Sequence, residues 1–194
     1  MESFLTIKAK KEAELKEQRS EFIAYVSPAE TREEAMAFLD SIRKLHPQAT
    51  HCCWAYRVGA PDEPTSYYSD DGEPSGTAGQ PILQSLEKEE LQNAVLAVVR
   101  YFGGIKLGVR GLIDTYRAAA ENVLKTTEKI KKQATEEIPF SCPYSFYNTL
   151  LYKTEKLEGE IKDASFGELV QGRVVLPRTN APQIKAFLEE IRHS

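Results

Sequence analysis

At 194 residues, 41% of them hydrophobic, the chain is long enough to bury a core as one domain or as two small ones. Its 25 basic and 29 acidic residues leave a formal charge of −4, which argues against a protein that coats nucleic acid by bulk positive charge, so any such contact needs a local patch. No apolar run approaches the roughly 18–20 residues of a bilayer span, the N-terminus is too charged for a secretory signal, and the three cysteines have neither disulfide-framework nor zinc spacing. A cytoplasmic protein is expected.

The charged segment from Lys8 to Arg19 leaves a turn, a strand extension or a disordered arm open, and Ser20–Val26 alternates as a strand. Thr31 and Glu34 are spaced as a capping box ahead of Ala35, Met36, Phe38, Leu39, Ile42 and Leu45, which predicts an amphipathic helix ending near His46. His51–Val58 reads as a strand. Strand neighbours face opposite ways, so His51 shares its face with Cys53 and Ala55 while Cys52 looks the other way. Packed cysteines are favoured over a His51–Cys53 base and nucleophile pair. Tyr67 and Tyr68 belong to a further strand. Trp54, Tyr56, Tyr101 and Phe102 suit base stacking, but such rings more often fill cores.

Ser69–Pro81, SDDGEPSGTAGQP, is too rich in Gly, Pro, Ser and Asp for a regular element. With Asp62 and Glu63 it places five acidic and no basic residues between Pro61 and Gln80. These carboxylates suit acid–base chemistry or pairing with a cationic loop. The calcium-loop pattern is absent. A turn-and-cap reading has more support, because Asp-Gly favours a turn and Thr77 with Gln80 resembles a capping box opening a short helix through Leu86.

Ala94–Arg117, AVLAVVRYFGGIKLGVRGLIDTYR, reads as a strand, a glycine loop and a helix N-terminus. Arg100, Lys106, Arg110 and Arg117 face only Asp114, a local charge of +3. Glycines admit close backbone approach and a helix start attracts anions, so the segment suits a phosphate or carboxylate; the plainer reading is a tight connection with solvated cations. Walker and dinucleotide spacings are both missing. Apolar positions from Leu112 to Thr127 predict one long helix reaching about Lys132, and the Lys-rich KTTEKIKKQ marks a domain boundary. Beyond it, strands near 134–142, 160–166 and 168–177 alternate with helices near 144–157 and 181–192, a βαββα order that is most of a ferredoxin-like unit.

The runs SDDGEPSGTAGQPIL and VVRYFGGIKLGVRGL, with SEFIAYVSP and HCCWAYRV, resemble the IMPACT family over nearly the whole chain. The resemblance implies an α+β protein of two domains. Residues 1–132 would form an α/β domain like the second domain of a small-subunit ribosomal protein and domain IV of elongation factor G. Residues 133–194 would form a smaller ferredoxin-like domain. It also implies a setting in translational control and stress response. In eukaryotes, members compete for the activator of a starvation-responsive kinase, a role that rests on eukaryotic partners and an extra domain and is not carried over.

The expected function is a non-catalytic regulator that contacts RNA, the ribosome or a translation-associated protein through a groove built by both stretches. Its acidic side comprises Asp70, Asp71, Gly72, Glu73, Gly76 and Thr77. Its glycine side comprises Arg100, Tyr101, Phe102, Gly103, Gly104, Lys106, Gly108 and Arg110. No catalytic residue, metal, cofactor, membrane partner or preference for DNA is expected. The alternative is an enzyme acting on a phosphorylated or carboxylated small molecule, with the cations holding an oxyanion and Asp71 or Glu73 as general base.

Overall fold

The computed structural model describes residues 3–192. Its backbone clusters into two compact units, Phe4–Lys132 and a second built from Gln133 onward. In the first, strands β2 (Lys11–Glu17), β3 (Ser20–Pro28), β4 (His51–Val58), β5 (Thr65–Ser69) and β6 (Ala94–Tyr101) form one sheet. Their order is β2-β3-β6-β4-β5 and every pairing is antiparallel. Helices α1 (Arg32–Leu45), α2 (Gly79–Lys88) and α3 (Gly108–Thr126) cover it, and β1 (Ser3–Ile7) pairs separately with β7 (Lys129–Gln133).

The continuous apolar run of β6 follows from its central place between two cores. Leu96 and Val98 pack with Phe22, Cys53 and Tyr116 on the side of α2 and α3. Val95, Ala97 and Val99 pack with Cys52, Trp54 and Leu39 on the side of α1. A strand buried on both faces needs no polar alternation. Helix α1 opens as its sequence predicts: Thr31 Oγ1 accepts the Glu34 N–H at 3.2 Å, and the Glu34 carboxylate accepts the Glu30 N–H at 2.7 Å.

One open alternative is decided and one expectation changes. The charged segment after Lys10 is an edge strand, β2, whose Ala13 and Leu15 turn inward while its Lys and Glu side chains face water, a composition that discourages further strand pairing. Helix α3 stops at Thr126, not near Lys132, and Lys129–Gln133 is strand β7. The hydroxyls of Thr126 and Thr127 both donate to the Val123 carbonyl, at 3.0 and 2.6 Å, and Thr127 is extended. Pairing with β1 then overrides the helical periodicity of the lysine-rich tail.

The second unit runs β8 (Thr135–Cys142), α4 (Tyr144–Lys156), β9 (Glu160–Phe166), β10 (Val170–Pro177) and α5 (Ala181–Arg192). Its antiparallel sheet has the order β8-β10-β9. Ile138, Phe140, Leu150, Val174, Ile184 and Leu188 fill its core. The βαββα order matches the expectation, and the whole is α+β. Among the described residues no helix is long and apolar enough to cross a membrane.

Candidate functional site

Both unusual stretches meet in the first unit. A cleft of about 430 Å³ is lined by Glu73 and Pro74 from the acidic loop, Thr50 and His51 at the start of β4, Arg100 and Phe102 at the end of β6, and Lys106 through Val109 with Leu112 at the start of α3.

The acidic loop is organised from within. After β5, Asp70 turns its carboxylate inward: Oδ2 accepts the Gly76 N–H at 2.8 Å, and Oδ1 accepts those of Ala78 and Gly79 at 3.0 and 2.8 Å. The first free N–H groups of α2 are thus capped from eight and nine residues upstream. The expected Thr77–Gln80 box does not form, since Thr77 is buried and its hydroxyl donates instead to the Pro74 carbonyl at 2.7 Å. A carboxylate engages these N–H groups more strongly than a hydroxyl, which is why Asp70 takes the role. Asp71, with φ of +44°, accepts the Cys52 N–H on its carboxylate at 2.7 Å and presents its carbonyl oxygen to His51 Nδ1 at 2.8 Å. Gly72 follows with φ of +88°. Two consecutive left-handed residues reverse the chain here, a conformation costly for Asp and natural for Gly.

That reversal delivers Glu73 beneath the sheet. Its side chain, 4% exposed, pairs with the 5% exposed Arg100 at 2.6 Å, and the same Oε1 accepts the Tyr116 hydroxyl at 2.9 Å. Arg100 lies between the rings of Phe22 and Phe102, its Cζ 5.4 and 5.3 Å from their centroids. Its Nη2 reaches Ser20 Oγ at 3.4 Å, and its buried Nε–H has no partner. Cys53 donates its thiol to the Asp70 carbonyl at 3.0 Å and lies 3.4 Å from the Tyr116 hydroxyl. Burial pushes the Cys53 thiol and the Tyr116 phenol well up, with the Glu73 charge adding to both. Neither therefore supplies an anionic nucleophile at neutral pH.

The glycine loop divides its residues between faces. Gly103 packs so closely on β3 that a Cβ there would stand 1.9 Å from the Arg19 carbonyl oxygen, so only glycine fits. Gly104 and Gly108 have φ of +86° and +71°. Lys106 reaches the cleft and has no ion-pair partner among the described residues. Helix α3 starts with no side-chain cap and no acidic residue in its first turn. Arg110 is 93% exposed and lies 3.6 Å from Asp114, outside the cleft lining. Tyr101 falls on the opposite face of the sheet, where its hydroxyl meets His46 Nδ1 at 2.8 Å; His46 Nε2 meets Tyr25 at the same distance.

Of the residues singled out in sequence, the cleft gathers Glu73, Arg100, Phe102, Lys106 and Gly108. Asp70, Asp71, Gly76, Thr77 and Gly103 instead shape the loops around it. His51 lines the cleft without having been placed there by the sequence reading, which weighed it only with Cys53. The missing relation is the register, which sets His51 directly opposite Arg100 across β4 and β6. No group of three or more potential metal ligands forms among the described residues.

Comparison with known proteins agrees with this architecture. The profile of the Impact N-terminal domain matches residues 18–124. An IMPACT family member of Thermus thermophilus is 44% identical over 90% of this chain and 95% of its own length. The Escherichia coli IMPACT family member YigZ is 34% identical over 89% and 85%. Among solved structures, a crystal structure of a protein described only as hypothetical aligns with a TM-score of 0.83 at 32% identity, covering 98% of this chain and 93% of that one. On the strength of these matches, spanning both units, the chain belongs to the IMPACT family.

Proposed function

We propose that the protein is a binding regulator linked to translation, which contacts RNA, free or on the ribosome, through the cleft between the acidic and glycine loops. The observation that carries this reading is the co-location on one cleft of Lys106, which has no ion-pair partner among the described residues, an α3 N-terminus with no side-chain cap, and Phe102, 44% exposed. Cations and helix N–H groups hold phosphates, and an exposed ring stacks on a base of any identity. Family membership supports the link to translation that the resemblance implies. Catalysis on a small molecule has less support. The Asp71 carboxylate is engaged by backbone, Glu73 is neutralised by Arg100, and Cys53 is held protonated.

The test is the anisotropy of a labelled single-stranded RNA titrated with wild type and with Lys106→Ala at several salt concentrations. Binding that weakens with salt, with a slope smaller by about one for the variant, is expected. Unchanged affinity in Lys106→Ala overturns the role of this cleft.

A further inference from the structure

The contact of His51 with the loop fixes its chemistry. A carbonyl oxygen only accepts, so the 2.8 Å approach of Nδ1 to the Asp71 oxygen places the proton on Nδ1 and, in the neutral ring, the lone pair on Nε2. Nε2 stands 3.9 Å from Glu73 Oε1, too far for a direct hydrogen bond. A hydroxyl has one proton to give, and Glu73 Oε1 already accepts from Arg100 and Tyr116, so Nε2 is the acceptor left open to a hydroxyl in the cleft.

The same cleft carries the opposite polarity elsewhere. The first N–H groups of α3 have no side-chain cap, Lys106 has no ion-pair partner among the described residues, and Arg100, only 4% exposed, lines the cleft with an Nε–H that has no partner and is itself closed to solvent. Phe102 adds a partly open ring backed by the Arg100 guanidinium. Donors for an anion, a fixed acceptor for a hydroxyl and a flat apolar ring are the three complements of a ribonucleotide. The volume of about 430 Å³ lies toward the small end of ordinary ligand pockets.

We infer that the cleft is a subsite for a single ribonucleotide unit. Its phosphate rests on the α3 N-terminus and Lys106, its 2′-hydroxyl donates to His51 Nε2, and its base lies on Phe102. Asp71 acts as a positioning residue whose carbonyl holds the imidazole in the accepting tautomer. The inference rests on the RNA-binding reading and adds to it that the sugar is recognised together with the phosphate. A deoxyribose offers no 2′ donor, so the subsite prefers RNA to DNA.

The experiment uses the full chain with two fluorescein-labelled eight-nucleotide single strands of one sequence, RNA and DNA, read by anisotropy. Wild type is expected to bind the RNA roughly five-fold more tightly, the worth of one ordinary hydrogen bond. In His51→Asn the side-chain amide keeps a donor where Nδ1 stood and leaves no acceptor at the Nε2 position, so its RNA affinity should fall to the DNA value. Equal wild-type affinity for both strands overturns this inference while the RNA-binding reading stands. An equal loss on both strands in His51→Asn overturns the assignment of the hydroxyl to Nε2. Absence of binding to either strand overturns both readings. Unlabelled UMP and dUMP as competitors separate the sources of the phosphate. Displacement by UMP and not dUMP assigns the subsite to a free ribonucleotide, and RNA preference without displacement assigns it to a nucleotide within a strand.

Discussion

The pair of Glu73 and Arg100 offers the sharpest test of how this site is held. Both side chains are about 95% buried and their charged atoms are 2.6 Å apart. At an effective dielectric near 20 and a charge separation of roughly 4 Å, their attraction is about 4 kcal/mol. Glu73→Gln preserves shape and an acceptor for Arg100 and Tyr116, yet leaves the guanidinium without a counter-charge among Phe22, Phe102 and Leu112. Removing one partner of a buried pair costs about 3–5 kcal/mol, much of it the uncompensated desolvation of the buried charge left behind. Arg100→Met should cost a similar amount, because the carboxylate then keeps only the Tyr116 hydroxyl as a short-range donor. The double variant carries neither buried charge and should lose far less than the two single losses combined. Urea unfolding of wild type, both single variants and the double variant, followed by far-UV circular dichroism, measures the coupling. A loss below about 1 kcal/mol for Glu73→Gln, or additivity within about 0.5 kcal/mol, would refute the description of this pair as a buried, mutually dependent unit.

Asp70→Ala removes the acceptor of three backbone N–H groups, two at the start of α2 and one in the loop before it, and should destabilise by about 2–3 kcal/mol, with Asp70→Asn losing roughly half as much. Urea midpoints check it, and a loss under about 1 kcal/mol for Asp70→Ala removes the capping role. Stability should also fall in alkali. Burial raises the Cys52 thiol from 9.0 to about 11 and the Tyr25 phenol from 10.0 to about 12, and raises Cys53 and Tyr116 further. The unfolded chain loses these protons first, so their contribution is whole below pH 9 and declines as pH rises toward the folded values. The limit is about 1.4 kcal/mol per pH unit for each group. Urea midpoints from pH 8 to 10.5 should drop, less steeply in Cys53→Ala, and flat midpoints in wild type would contradict the protonated core.

Much of the framework was legible because its causes are local or periodic. The continuous apolar run of β6 and the alternation of β4 placed Cys53 and Cys52 on opposite cores, and the stripe with Ala35, Leu39 and Ile42 marked α1. What sequence missed depends on partners distant along the chain. The lysine-rich tail of α3 is helical by period but is claimed by β1, more than 120 residues earlier. The α2 cap was sought three residues from its partner and lies eight or nine away, since a turn with two left-handed residues folds Asp70 back. Arg100 was read at the end of the strand as a cation open to a ligand, yet its side chain is buried and its charge is met by Glu73, 27 residues earlier. Tyr101, its neighbour, necessarily points to the other face, toward His46.

The charge pattern also bears on how an acidic chain could hold the anionic ligand proposed for it. A stretch with five carboxylates and no cation looks like a repulsive wall beside the glycine loop. In the fold, the Asp70 and Asp71 carboxylates face backbone N–H groups, and Glu73 meets Arg100. Their charges are answered at short range, where the field they send into the cleft is weakest. Among the described residues no carboxylate pairs with Lys106, and the first turn of α3 holds no acidic residue. The acidic loop thus uses its carboxylates to hold Arg100 and the loop backbone in place, and its Asp71 carbonyl holds His51, while the molecule as a whole keeps its charge of −4. Phosphate contact in this setting depends on a few oriented groups, so its response to salt should be shallow and its dependence on Lys106 large.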